Sequence, residues 1–172
     1  RKGHAFKPNS REMLAFTAGF PFEETPDQQS AIEAVIEDMT NGKPMDRVIC
    51  ADVGFGKTEV AMRATFTALQ DNKQVAILVP TTLLAQQHFQ NFRDRFADWP
   101  VRIESLSRFS SPAQQQKVME DLTTGKVDVV IGTHKLLQKG INFCDLGLVI
   151  IDEEHRFGVR HKEILKALRA DV

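Results

Sequence analysis

Short apolar runs alternate along this chain with longer stretches in which apolar residues recur every three or four positions. The runs are Arg47–Cys50, Gln74–Val79, Val101–Leu106, Val127–Ile131 and Leu146–Ile151. Each has the length of a strand, and the near-continuous apolar character of Gln74–Val79 suits a parallel strand covered on both faces. Val101–Leu106 alternates instead, which predicts a strand near a sheet edge. Five or six strands are expected in all.

Between the runs the period changes to that of a helix. Thr25 followed by Pro26 predicts a capped helix start. Ala31, Ile32, Val35, Ile36 and Met39 supply its buried face as far as Thr40, and Asn41-Gly42-Lys43-Pro44 ends it. Further helices are expected over Glu59–Leu69, Leu83–Phe96 and Pro112–Leu122, with shorter ones at Lys135–Gln138 and His161–Leu168. A helix over Arg11–Thr17 has Ser10 as a cap and a weak apolar face that includes Met13, Leu14 and Phe16. Residues 1–19 read either as a connector into the domain or as a disordered tail, and residues 20–172 as one lobe. Strand followed by helix, repeated, implies right-handed crossovers. The expected fold is α/β, with a mostly parallel central sheet and helices on both faces, three layers in all. Sheets of this kind bind ligands beyond the carboxyl ends of their strands.

Bulk properties narrow the class only a little. A chain of 172 residues with 42% hydrophobic and 26% charged residues is an ordinary single globular domain. The net charge of −1 argues against a strongly basic nucleic-acid binder but leaves room for a local basic strip. Cys50 and Cys144 lie in or beside apolar runs and read as reduced packing residues of a cytoplasmic protein. No apolar run approaches the ~20 residues of a membrane-spanning helix. Residues 1–20 lack the apolar core of a signal peptide. The absent initiator Met and the abrupt stop at Val172 predict a piece of a larger protein.

The chemistry concentrates at the strand ends. Ala51-Asp52-Val53-Gly54-Phe55-Gly56-Lys57-Thr58 joins an apolar run to a helix that opens with Glu59, the context of a phosphate-binding P-loop. Gly54 and Gly56 free the backbone so that successive N–H groups of the loop point into one concavity at a helix N-terminus. Lys57 would reach the β and γ phosphates of ATP, and the Thr58 hydroxyl would help to hold Mg²⁺; Asp52, Val53, Phe55 and Glu59 complete the residues expected at the nucleotide. The strict pattern begins with Gly where this chain has Ala51. Upstream, the Gln28 amide has the donor and acceptor needed to pair with adenine, and Phe22 could stack on the base. A solvated Gln in a first helical turn is the ordinary alternative.

The last strand delivers Asp152-Glu153-Glu154-His155. Carboxylates at the end of a buried strand need a cation, and beside a P-loop that cation is Mg²⁺. Asp152 would hold it through water, Glu153 would orient and deprotonate the attacking water, and His155 could couple the site to what binds beyond it. Zinc is a poor fit, since no cysteine completes a shell around Asp152, His155 and His161. Thr81 and Thr82 follow one strand and Thr133 another, each a helix cap and also a donor suited to a nucleic-acid phosphate. Gln86, Gln87 and His88 read as solvated. Gly132 would permit close backbone approach of a ligand strand. Arg108 beside Phe109 offers a charge and a stacking face, or simply an exposed Arg over a packed Phe.

Taken in order, Phe22…Gln28, AxxGxGKT, LVPTTLLAQQH, GTH and DEEH resemble the first motor lobe of superfamily 2 helicases and translocases, a RecA-like P-loop NTPase lobe. The Ala51 variant of the glycine loop is the form that family uses. Three stretches, 52–64, 78–109 and 152–163, are similar to a narrower branch that contains the RecG helicase and the translocases coupling transcription to repair. The resemblance implies an ATP-driven motor on double-stranded DNA that displaces stalled RNA polymerase and helps to recruit excision-repair proteins through other domains. It implies that Phe22 and Gln28 hold adenine, and that Thr81, Thr82, Arg108, Thr133 and His134 lie towards DNA. It also implies that a second RecA-like lobe supplies the arginine finger, worth about three to five orders of magnitude in rate. A lobe of this kind alone is expected to be nearly inactive. Two other readings remain at this point: a self-sufficient P-loop kinase, and a nucleotide-gated binding module in which Glu153 has no function.

Overall fold

The computed structural model describes residues 11–20, 26–40, 47–51, 58–107, 110–137 and 141–152. In chain order the elements are α1 (Arg11–Ala18), α2 (Pro26–Thr40), β1 (Arg47–Ala51), α3 (Thr58–Gln70), β2 (Gln74–Leu78) and α4 (Thr82–Arg95). After them come β3 (Ile103–Leu106), α5 (Pro112–Thr123), β4 (Val129–Gly132), a 3₁₀ turn (His134–Leu137) and β5 (Leu146–Asp152). The expected helix over 161–168 lies outside the described residues.

The five strands form one sheet in the order β1-β5-β2-β4-β3, and every pair is parallel. β2 and β5 are buried along their whole length, as strands roofed on both sides must be. Alternate residues separate two cores. Val75, Ile77, Val129, Ile131, Leu148 and Ile150 face a large cluster shared with α1 to α4. Ala76, Leu78, Val130, Val149 and Ile151 face a smaller one closed by Val118 and Leu122 of α5 and by Leu136. Helices therefore cover both faces, giving the three layers expected.

Helix α3 is the spine of the larger layer. Ten consecutive residues, Glu59 to Ala68, are buried, so it is enclosed by protein on every side. Thr65 and Thr67 are accommodated there because their hydroxyls donate to the Ala61 and Arg63 carbonyls, at 2.8 and 2.9 Å. Helix α1 is built into the same layer. Phe16 stacks on Phe66 with ring centroids 4.3 Å apart, and Trp99 meets the Phe66 ring edge-on at 4.7 Å. Met13 and Phe16 are buried, whereas Leu14, read as part of the apolar face, points to solvent.

The amino edge of the sheet is stitched shut by polar groups. The Gln74 amide donates to the carbonyls of Leu122 and Val127, both at 2.9 Å, and accepts from the Asp145 N–H at 2.8 Å. Lys73 pairs with Asp145 at 2.9 Å on the same edge. The opposite, carboxyl edge carries the residues of interest.

Candidate nucleotide and nucleic-acid site

Register brings the strand ends level. Ala51, the last residue before the glycine loop, lies opposite Asp152, and Leu78 lies between Ile151 and Gly132. Asp152, Ala51 and the starts of α3 and α4 therefore share one edge. Asp52, Val53, Gly54, Phe55, Gly56 and Lys57 lie outside the described residues, as do Phe22, Arg108, Glu153 and His155. Gln28 stands in the first turn of α2.

Thr58 is the first residue of α3 and half-buried, where the helix's unsatisfied N–H groups begin. Glu59, expected to serve the nucleotide, has its carboxylate taken up inside the protein. Arg95 from α4 meets both of its oxygens, at 2.6 and 3.1 Å, and Arg63 adds a third contact at 3.2 Å. The same Arg95 donates to the Phe16 carbonyl at 2.8 Å and lies over the Phe16 ring at 3.9 Å. The Glu59 side chain thus ties the first turn of the P-loop helix to α4 and α1.

Thr81 is the N-cap of α4. Its backbone is extended, and its hydroxyl oxygen accepts from the Leu84 N–H at 3.2 Å. The residue is exposed, and its hydroxyl proton is not used by the cap. Thr82 beside it is half-buried, Thr133 is buried and His134 is exposed. Gly132 behaves differently from the expectation. A Cβ there would lie 2.7 Å from the Leu106 carbonyl oxygen and 3.0 Å from Leu136. The close approach this glycine permits is internal, by β3 and the 3₁₀ turn.

The largest departure is His88. Gln86 and Gln87 are solvated as read, but His88 is buried. Ala85, His88 and Phe92 form the stripe by which α4 faces inwards, so the 3.6 period carries an imidazole into the interior. Its Nε2 lies 3.9 Å from Asp152 Oδ2. Burial holds the imidazole below its ordinary value, against the pull of the Asp152 carboxylate. The signal available in the sequence was a polar residue set in an apolar stripe.

Residues 25–172 match the DEAD/DEAH box helicase family. The chain belongs to that family. As a DEAD/DEAH box helicase ATPase domain it binds ATP. The chain is 61% identical over all 172 residues to the transcription-repair-coupling factor of Escherichia coli (strain K12), of which it spans 15%. It is 56% identical over 170 residues to that of Mycobacterium bovis, spanning 14%. Among solved structures, RecG bound to a three-way DNA junction matches with a TM-score of 0.80 and 37% identity. That match covers 94% of this chain and 22% of RecG. The DUF1998 helicase MrfA shares the fold, with a TM-score of 0.67 over 95% of this chain, at 19% identity. This helicase domain thus spans about one seventh of the length of these two coupling factors. No helix among its described residues is long and apolar enough to cross a membrane.

Proposed function

We propose that this chain is the ATP-binding motor lobe of a translocase on double-stranded DNA, of the kind that couples transcription to repair. The observation that carries the reading is the register. It sets Asp152 beside Ala51, the residue from which the glycine loop departs in sequence, on the edge where α4 presents the exposed Thr81.

The residues divide the work by position. Lys57 and the loop N–H groups of residues 52–56 bind the phosphates, and Phe22 and Gln28 hold adenine. Asp152 fits a Mg²⁺ site: a buried carboxylate at a strand end suits an ion that takes one or two carboxylates and keeps much of its water. Thr58 and Asp152 would hold it, and when bound it neutralises charge on the β and γ phosphates. Glu153 orients and deprotonates the attacking water, and His155 passes the state of the site outward. The backbone phosphates of DNA meet Thr81, Thr82, Arg108 and His134, where hydroxyls and charges position a strand without reading its sequence, and Thr133, buried just after β4, supports that surface from behind. RNA polymerase and excision-repair proteins are the partners of the whole protein, through its other domains.

Phosphoryl transfer needs a further cation at the transition state, worth about three to five orders of magnitude in rate. A second RecA-like lobe supplies it, so the 172 residues bind nucleotide but turn it over slowly. The test is steady-state ATP hydrolysis by this chain, with and without double-stranded DNA, beside Lys57→Ala. Turnover no higher than Lys57→Ala is expected, together with DNA-stimulated turnover once the second lobe is joined. Strong turnover by the lobe alone, abolished by Lys57→Ala, would overturn the two-lobe account.

A further inference from the structure

His88 is the buried polar side chain that this reading of the site leaves without a task. Its side chain is 6% exposed, and neither ring nitrogen has a hydrogen-bond partner among the described residues. Buried polar groups are nearly always paired, and one that is not asks for an explanation, a functional role among them. A neutral imidazole carries one donor and one acceptor, so a single carboxylate oxygen in line with Nε2 would satisfy its donor. Asp152 Oδ2 is that oxygen. At 3.9 Å it is close enough to feel the ring and about 1 Å too far for a hydrogen bond.

The helix that carries His88 gives the gap its meaning. Thr81 caps α4 seven residues before His88, two turns along the same face, and Ala85 fills the step between them. A rigid helical segment of about 10 Å thus joins the proposed DNA-facing cap to the proposed metal carboxylate.

We propose that His88 is a positioning residue for Asp152. When Mg²⁺ and nucleotide bind, Nε2–H donates to Oδ2 and the gap closes, which fixes the carboxylate for the metal and fastens α4 to β5. No bond is made or broken and no proton leaves the ring. Movement of α4 at Thr81 then reaches the metal site through one side chain. The inference rests on the nucleotide-site reading above.

Fluorescent ADP analogue binding to this chain, titrated with Mg²⁺ and repeated in EDTA, tests it. His88→Leu fills the same space without a donor. It is expected to raise the Mg²⁺ concentration at half-saturation by about tenfold, as loss of a group that orients a metal ligand does, and to leave binding in EDTA unchanged. His88→Gln, which restores an N–H near the Nε2 position, should recover to within about threefold of the parent chain. In long-range ¹H–¹⁵N spectra, the Nε2 resonance should move with Mg²⁺ and ADP together and not with ADP in EDTA. An unchanged Mg²⁺ requirement in His88→Leu would overturn the proposal and make the ring a core filler. So would a His88→Gln no better than His88→Leu. Those outcomes leave the nucleotide site standing if Lys57→Ala abolishes binding. Binding indifferent to Lys57→Ala would overturn both.

Discussion

Replacing Arg95 by Ala would remove a single side chain that joins three helices. Its Nε and Nη2 grip both oxygens of Glu59, and the two side chains are 10% and 5% exposed. Breaking a buried pair by deleting one partner costs about 3–5 kcal/mol, because the other charge stays behind in the interior. Here the residual charge is not stranded, since Arg63 still meets Glu59 Oε1 at 3.2 Å. That contact brings the figure down to about 2 kcal/mol. Loss of the guanidinium from the Phe16 ring adds about 1 kcal/mol. The Phe16 carbonyl adds little, because it also accepts from the Gly19 N–H at 3.1 Å. The total is about 3 kcal/mol, or about 1.5 M in the urea midpoint at a slope of about 2 kcal/mol/M. Urea titration followed by far-UV circular dichroism measures it, and the slope should stay constant. Arg95→Lys should regain less than half, since an ammonium cannot reproduce the fork. A loss below about 1 kcal/mol at unchanged slope would refute the reasoning, showing that solvent takes over the role of Arg95.

Three further outcomes are expected. Gly132→Ala should destabilise the chain by about 1–3 kcal/mol in the same titration, because the atom its Cβ meets first is backbone and cannot move aside. Burial alone would raise the Asp121 carboxyl, but the hydrogen bond and charge of Arg102, with Lys117 beside it, hold it below its ordinary value. A lowered folded value means stability that is present above the unfolded value of 3.8 and lost as pH falls through the folded one. Asp121→Asn should therefore flatten the acid limb of a stability–pH profile below about pH 4 while leaving the rest of its slope unchanged. Gln74→Leu should cost about 2–4 kcal/mol in thermal or urea unfolding, since it takes the amide away from the Val127 carbonyl and the Asp145 N–H, whereas the Leu122 carbonyl keeps the Gly125 and Cys144 N–H groups.

What the sequence disclosed, it disclosed through local chemistry. The apolar runs became β1, β2 and β5 within about a residue, and Thr25-Pro26 marked the start of α2. Boundaries moved where a distant group intervened. The run Val127–Ile131 begins pairing only at Val129, because the Val127 N–H is taken by the Asp121 carbonyl at 3.1 Å. The union of Glu59 with Arg95 was not readable, as 36 residues separate them and neither has a local pattern that asks for the other. His88 was readable in principle from the stripe it interrupts, but no local rule weighs one polar residue in such a stripe against a solvated face. For Gly132, the sequence showed that something comes close without showing that it is Leu106 of the same chain. Local pattern thus places the strand ends, and only three-dimensional contact says what each is used for.

The strand order also has a history in time. β5 is the last described strand to be made, yet it stands between β1 and β2. β2, β3 and β4 pair among themselves through single-helix crossovers, α4 and α5, and can assemble early in synthesis. The strand leading into the glycine loop waits for a partner about a hundred residues downstream, with no other neighbour among the described strands. A nascent chain halted before β5 therefore holds a strand-paired core of β2, β4 and β3 while β1 still lacks its partner. The level edge is completed in one late step, when β5 inserts and carries Asp152 into place beside Ala51.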